Sequence, residues 1–590
     1  MQIVWLVGIR GEIHMYGLYG DEANLFDLFL ERRGVTSSWY HDFDAHCGSK
    51  LARIDEMCSI LDGIHERHEK IVVLPDFDCD GVMSGVVGYA GLLELGFEAG
   101  LFHPNPTKGY GFAIDEVERL LREFPDVKWV ITCDTGISEV EGTSRLAERG
   151  VRVLVTDHHR EPSSRPVRRF AECVVDPCCD DETYALPGIC GAHVLWQVLD
   201  HYARTYADAD MVDQIWRLRV FAGIGTVSDL MPLVHENRQL VRDAVSISRM
   251  VWSNGDTWFF KNLAGCDMYR RAFYGLFCLL DAFSEARKLS APIGIDEVFF
   301  GFYMAPAINA LKRMGRTTDM AFDMFFGHNQ PKSAAGLVRL NNERKALADQ
   351  LFDMTLSVPQ SMAPYIYLFQ SQHKGMLGLV AGRIMEKTGM PTLVASIDPV
   401  KFTISGSGRS PEWFDCLSNC TSAGFKLAGH EHAFGFAARD IVELGKLFDH
   451  LDHEAPLALE KYEKDHADEL NAPGYDILVD TSGGGDIGLD VEALWTFVDT
   501  QEMYRPFGAS FEAPQFCVRF PWSAAQVSAV GDGHDHMRIV LPGGITLMCF
   551  YQAKDFPSTL RGTANFVGTI GINEFRGNRS LQFIGSCKFA

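Results

Sequence analysis

The sequence has no stretch of about 18 uninterrupted apolar residues, so no transmembrane helix is expected. It has no basic excess: Lys plus Arg number 54 against 78 Asp plus Glu, a formal net charge of −24. That balance disfavours a protein that coats duplex DNA regardless of sequence. It leaves room for a nucleic-acid enzyme with a local basic groove. The 15 cysteines include no CxxC pair, and their odd number in so long a chain suggests reduced thiols. Cys173, Cys178, Cys179, Cys190 and His193 lack the spacing of a zinc site. The opening MQIVWLVGIRGE lacks a basic n-region and a cleavage site, so it reads as a buried strand and not as a signal peptide. Repeats and low-complexity tracts are missing as well.

What is present is ample apolar material. Hydrophobic residues make up 47% of 590, enough for two to four domains. From residue 71, short apolar runs alternate with helical patterns: 71–74, 129–131, 151–155 and 173–175 read as strands. Strands alternating with helices predict βαβ units and a parallel sheet covered on both faces. Residues 185–350 read as mostly helical, with a helix over 334–357 joining two parts. An α/β texture returns over 365–440, an acidic helical run follows, and from about 473 the pattern is β, with Gly577-Asn578 as a hairpin turn. The expected domains are 1–333 with an N-terminal extension, 358–460, and 461–590 as a small barrel or sandwich.

Four short segments carry chemistry. In LPDFDCDGV, Asp76, Asp78 and Asp80 fall at alternate positions just past a strand. On an extended chain they point to one side, where they repel one another unless a cation intervenes. A turn or a calcium loop reads the same way when the segment stands alone. VITCDTGIS places Asp134 after a second strand, VLVTDHHR places Asp157, His158 and His159 after a third, and GIGTVSDLMPL carries Asp229. A single Asp after a strand is often only a helix cap. At three successive strands the pattern points to the carboxyl edge of a parallel sheet, where ligands bind. Carboxylates and imidazoles without thiolates suit Mn²⁺ or Mg²⁺. So many ligands suggest two ions about 3.5–4 Å apart, the arrangement used for in-line attack on phosphorus. His534-Asp535-His536 reads as a solvated loop.

These residues resemble the DHH phosphoesterase superfamily. The order DFDCDG, GYGF, CDTGIS, TDHH, ICGAHVLWQVL, GTVSDLMPL, INALKRMGR and NNERK resembles its RecJ exonucleases more closely. HKGMLGLVAGRIMEKTGMPTLVAS, SGSGRS and AGHEHAFGFA resemble the associated DHHA1 domain. RPFGASFEAPQF and INEFRGNRSLQF resemble a RecJ-type OB-fold. The resemblance implies an α/β protein: a parallel-sheet DHH domain, a smaller α/β DHHA1 domain and a C-terminal β-barrel OB-fold.

It also implies roles. Asp78 and Asp80 each hold one ion, Asp134 bridges both, His158 and Asp229 complete the ligands of the second ion, and Asp76 is a ligand or lies close by. Asp157 orients His158, and His159 faces the scissile phosphate, so His159, Asp157 and Asp134 form the catalytic group. Arg313, Ser407, Arg409, Gly429 and His430 hold the nucleic acid, and Tyr110 stacks on a base. A cleft between the first two domains admits only single strands. The implied activity is two-metal, 5′-to-3′ hydrolysis of single-stranded DNA in repair or recombination, by a cytoplasmic or nucleoid-associated monomer. Single-strand-binding protein or other repair factors are the implied partners, and no membrane is involved. The chain departs from the pattern at several nucleic-acid contacts: HPNPTK precedes GYG, Pro306-Ala307 precedes INA, and Leu311-Lys312-Arg313 and Ala428-Gly429-His430 replace the usual triplets. An RNase, a short-oligonucleotide phosphodiesterase, or a non-catalytic single-strand-binding scaffold are the alternatives.

Overall fold

The structure, a computed structural model, describes residues 3–7, 13–17, 25–34, 49–105, 111–186, 188–255, 263–287, 294–356, 365–369, 374–397, 403–466, 474–483, 485–531, 533–556, 559–575 and 578–588. Two N-terminal strands, β1 (Ile3–Val7) and β2 (Ile13–Gly17), pair antiparallel. The chain forms two compact units: residues 44–471 with 508–510, and residues 1–43 with 472–507 and 511–590.

The larger unit is built on a five-stranded sheet. Strands β3 (Ile71–Pro75), β4 (Ala99–Leu101), β5 (Trp129–Cys133), β6 (Arg152–Thr156) and β7 (Ala171–Val175) run parallel in the order β4-β3-β5-β6-β7. Successive side chains face opposite sides of a strand, and both sides here are apolar. Ile71 and Val73 enter one core, and Val72 and Leu74 enter the other. That is why these strands read as continuous apolar runs. The helix Cys79–Glu94 starts directly after β3. It is buried along most of its length, and Asp78 caps it by accepting from the Gly81 N–H. β4 was not anticipated: it has three residues, one of them glycine, too few to show a period.

Helices fill much of 191–356. The last, Gln330–Leu356, spans 27 residues and coincides with the connecting helix expected over 334–357. Its first half buries Ala334, Leu337 and Leu340 in the larger core. Its second half lays Ala348 and Leu351 against Met376, Leu377 and Val380. The same rod therefore supports both α/β parts. In the second part, β8 (Tyr365–Phe369), β9 (Thr392–Ile397), β10 (Ile404–Arg409), β11 (Lys426–His430) and β12 (Ala433–Ala438) form a sheet ordered β11-β12-β10-β9-β8. Only the β8–β9 pair is parallel. The helix Leu377–Thr388 fits the one expected near 376–388.

The second unit holds a seven-stranded mixed sheet. Its strands are β13 (Ile477–Asp480), β14 (Phe516–Pro521), β15 (Gln526–Val530), β16 (His536–Val540), β17 (Thr546–Cys549), β18 (Thr563–Phe575) and β19 (Asn578–Lys588). They lie in the order β13-β14-β18-β19-β17-β16-β15. β18 and β19 pair antiparallel with Phe575 opposite Asn578; Gly577, of the hairpin turn expected at Gly577-Asn578, lies outside the described residues. The N-terminal segment, expected with the catalytic domain, belongs to this unit. The helix Leu25–Arg32 packs Phe26 on Phe497 and Tyr504, with ring centroids 5.4 and 4.1 Å apart. Arg32 pairs with Asp486 at 2.7 Å, and Arg33 with Asp476 at 2.6 Å. Its apolar face is covered by C-terminal aromatics, which no local reading of residues 1–43 reveals.

Candidate metal centre

Three adjacent strands end in acids. Asp76 follows β3, Asp134 follows β5 and Asp157 follows β6, and all three are buried. Asp134 sits in the left-handed region, at φ 61°. A non-glycine residue there is strained, and such strain clusters at functional sites. The helix Cys79–Glu94 adds its cap Asp78 and, from its first turn, Asp80; the turn after β6 adds His158 and His159, and the helix Arg219–Ser228 ends at Asp229.

The side chains converge in three overlapping groups. Asp76, Asp78 and Asp134 present oxygens within 4.8 Å of one another, and so do the ligand atoms of Asp80, His158 and Asp229 and those of Asp134, His158 and His159. His158 Nε2 lies 3.0 Å from Asp134 Oδ1, 3.5 Å from Asp229 Oδ2 and 3.9 Å from Asp80 Oδ2. Asp134 thus stands between the groups. Its Oδ1 is buried without a hydrogen-bond partner, an arrangement that is costly unless a cation takes the charge. Burial first, and mutual repulsion second, push Asp76 and Asp134 far above the ordinary carboxylate range. Burial and the charges of Asp80 and Asp78 push Asp229 up to about 8. His158 moves the other way: burial lowers it, so it is a neutral imidazole with a lone pair to offer.

The surroundings hold this shape closely. Asp80 accepts the N–H groups of Gly191 and Ala192, at 2.6 and 3.2 Å, at the start of the helix Gly191–Tyr206. The exposed N–H groups of a helix N-terminus are a natural seat for a carboxylate. A Cβ on Gly191 would come within 2.5 Å of Asp134 Cβ, and one on Gly225 within 2.2 Å of Asp80 Oδ1. The Cys79 N–H donates to Asn309 Oδ1 at 2.8 Å, which ties the Asp78 turn to the helix Ala305–Arg313. Gly191, Gly225 and Asn309 lie inside the quoted motifs ICGAH, GIGTVSD and INALKR, but no role was expected for them. An orphaned buried oxygen, mixed carboxylate and imidazole donors and tightly seated acids together fit a pair of hard divalent cations.

One expected role changes. Asp157 does not orient the His158 ring; it holds His159, whose Nδ1 lies 2.8 Å from Asp157 Oδ1. To His158 it offers only a backbone bond: the same oxygen accepts the His158 N–H at 2.8 Å, and Asp157 Oδ2 accepts the Ile137 N–H. The reason is spacing. After an extended residue the ring two positions on returns to the same side as the acid, whereas its neighbour points away. The Asp157 hydrogen bond raises His159 to about 9, so the ring is a cation at neutral pH. Burial works against the Asp157 charge, but the His159 bond keeps that carboxyl below its usual range. A charged imidazolium suits an anion better than a metal ion.

A fourth strand end, Asp176 after β7, is fully buried. Its backbone bond to Cys178 leaves Oδ2 without a partner, and burial raises it to about 8. Glu161, Cys179 and Asp181 also approach one another, but Arg168 pairs with both acids, so this is an ion-pair knot. Cys190 bonds to the Ala222 carbonyl, and His193 lies 3.1 Å from Asn237.

The nucleic-acid positions are partly united. Arg313 ends its helix beside the turn Lys374–Met376, where a Cβ on Gly375 would meet the Arg313 carbonyl at 2.8 Å. The Arg409 guanidinium lies beside Gly378, at the start of the next helix. Ser407 lies on β10 with Arg409, and Gly429, at φ 136°, lies on β11. His430 closes β11, and Tyr110 lies outside the described residues. His536 belongs to β16, where its Nδ1 accepts the Tyr551 N–H at 3.1 Å.

The model of the DHH family, N-terminal domain, matches residues 70–224, and that of the RecJ OB domain matches residues 486–585. The single-stranded-DNA-specific exonuclease RecJ of Haemophilus influenzae is 25% identical over 567 residues, 91% of this chain and 90% of that protein. The protein of that name from Bacillus subtilis is 27% identical over 439 residues, 72% of this chain and 50% of its own length. Among solved structures, RecJ from Thermus thermophilus in complex with Mn²⁺ matches with a TM-score of 0.68 at 20% identity, covering 96% of this chain and 76% of that one. An exonuclease RecJ bound to manganese matches at 25% identity with a TM-score of 0.53, covering 69% and 95%.

Proposed function

We infer that this chain, a RecJ-like member of the DHH superfamily, is a metal-dependent exonuclease that hydrolyses single-stranded DNA. The observation that carries the reading is the pair of ligand groups meeting at Asp134 on the edge of one parallel sheet. Asp76, Asp78 and Asp134 would hold one Mn²⁺ or Mg²⁺, and Asp80, His158 and Asp229, with Asp134 shared, would hold the other. Bound there, such ions lower the pKa of water and offset the charge of a phosphodiester. The chain does the rest. Asp157 fixes the His159 ring through Nδ1 and leaves Nε2–H to donate to a phosphate oxygen as negative charge builds on it. Asp80 is locked by two backbone N–H groups, so the centre is ordered before substrate arrives.

Arg313, Ser407, Arg409, Gly429, His430 and Tyr110 are the proposed contacts to the strand, and cleavage proceeds from the 5′ end. An OB domain adds stacking and phosphate contacts along a single strand. The intact acid and histidine set argues against a non-catalytic scaffold. Repair or recombination is the setting, with single-strand-binding protein or other repair factors nearby. A monomer in the cytoplasm or at the nucleoid fits the described cysteines, all free thiols. No helix among the described residues is long and apolar enough to cross a membrane.

The test uses 5′- and 3′-labelled single-stranded DNA and RNA, with Mn²⁺ or EDTA, and includes Asp134→Ala. The expected result is Mn²⁺-dependent mononucleotide release from the 5′ end of DNA, lost in the variant. Release from RNA alone points to an RNase, and no metal-dependent release from any substrate sinks the reading.

A further inference from the structure

The helix Ala305–Arg313 turns two polar residues toward the acidic turn after β3. Asn309 accepts the Cys79 N–H. One turn later, Lys312 places Nζ 3.9 Å from the centroid of the buried Phe77 ring. Phe77 lies between Asp76 and Asp78; burial pulls the half-buried Lys312 ammonium down to about 8, and the charges of both acids hold it up. A cation over the face of an aromatic ring is held there by the ring quadrupole, which fixes where its charge sits.

The charge balance of the centre gives that position a meaning. Asp76, Asp78, Asp80, Asp134 and Asp229 are five carboxylates. Two divalent cations leave them one negative charge in excess, which repels an incoming phosphodiester. Asp157 stands outside this count, held 2.8 Å from the His159 ring. Lys312 supplies the missing positive charge on the Asp76–Asp78 side.

We propose that Lys312 is the charge-balancing cation of this centre and binds the substrate's phosphodiester next to the Asp76–Asp78 group. This rests on the two-cation reading above. Lys312 therefore has opposite effects on the two ligands: it weakens Mn²⁺ by repulsion and strengthens the DNA phosphate by attraction. A lysine that only propped up the turn would strengthen both.

The test titrates Mn²⁺ into the full chain by calorimetry and measures KM and kcat on a single-stranded deoxyoligonucleotide, for wild type, Lys312→Met and Lys312→Arg. Met keeps the packing on Phe77 without the charge, and Arg keeps the charge. Lys312→Met is expected to bind Mn²⁺ about tenfold more tightly and to raise KM about tenfold, as one partly screened charge does. Lys312→Arg should match wild type on both. Unchanged or weaker Mn²⁺ binding by Lys312→Met, or an unchanged KM, overturns the proposal. Wild-type protein that takes up no Mn²⁺ overturns the two-cation reading together with it.

Discussion

At the scale of the residue, the DHH stretch divides its labour by alternation. Asp157 and His159 share a side and form a pair, and His158 points to the acids. The sequence placed all three at a strand end but not which ring the acid holds, because that depends on the backbone of the turn. Asp157→Asn removes the charge, keeps one accepting oxygen for the His158 and His159 side, and gives up the bond from the Ile137 N–H. His159, held at about 9 by that charge, should titrate near or below its ordinary value of about 6.5. The sign follows from linkage: a raised histidine lends stability below the unfolded value and loses it as pH rises through the folded one. Wild type should thus be more stable than the variant at pH 6, with the gap narrowing above pH 9 to what the lost Ile137 bond leaves. If His159 acts as a cation, the high-pH limb of kcat/KM should move down by about two units and kcat should fall about a hundredfold. Identical pH–rate profiles would remove His159 from the chemistry.

At the scale of the element, the centre depends on how closely two helices approach the strand ends. Strands β3, β5 and β6 were legible because both of their faces are apolar, and the helix after β3 because Asp78 and Gly81 mark its start. The helix Val491–Met503 was hidden in a region read as all β; its polar residues and glycine-rich flanks mask the period. The glycines at 191 and 225 were visible as letters but not as spacers, since what they make room for is Asp134 and Asp80, 57 and 145 positions earlier in sequence yet adjacent in space. Gly225→Ala tests this directly. In a free helix the change is favourable by about 1 kcal/mol. Here the new methyl falls 2.2 Å from Asp80 Oδ1, so the helix Arg219–Ser228 or the carboxylate must move. Asp229 caps that helix and moves with it. The expected outcome is weaker Mn²⁺ binding by calorimetry and a loss of activity of about a hundredfold or more. A variant with unchanged Mn²⁺ affinity would show that the close approach does not matter.

At the scale of the whole molecule, charge sets the terms of binding. A chain with a net charge of −24 repels DNA at long range, so attraction must come from a few local cations. Within the larger unit the structure gives three near the proposed path: Lys312, Arg313 and Arg409. Single-strand binding loses about 0.7 powers of salt per neutralised phosphate. Three contacts then give a log–log slope of about −2, so a fourfold rise in salt should lower kcat/KM about twentyfold. The chemical step, screened from bulk ions by burial of the acids, should change little, and kcat at saturating DNA should stay within about twofold. Measuring both parameters between 50 and 200 mM salt, at fixed Mn²⁺, separates the two effects. Replacing Arg409 with Gln should flatten the slope by about 0.7 if that residue neutralises one phosphate. An unchanged slope in the variant would take Arg409 off the DNA path, and a wild-type slope near zero would mean that the strand is held by stacking alone.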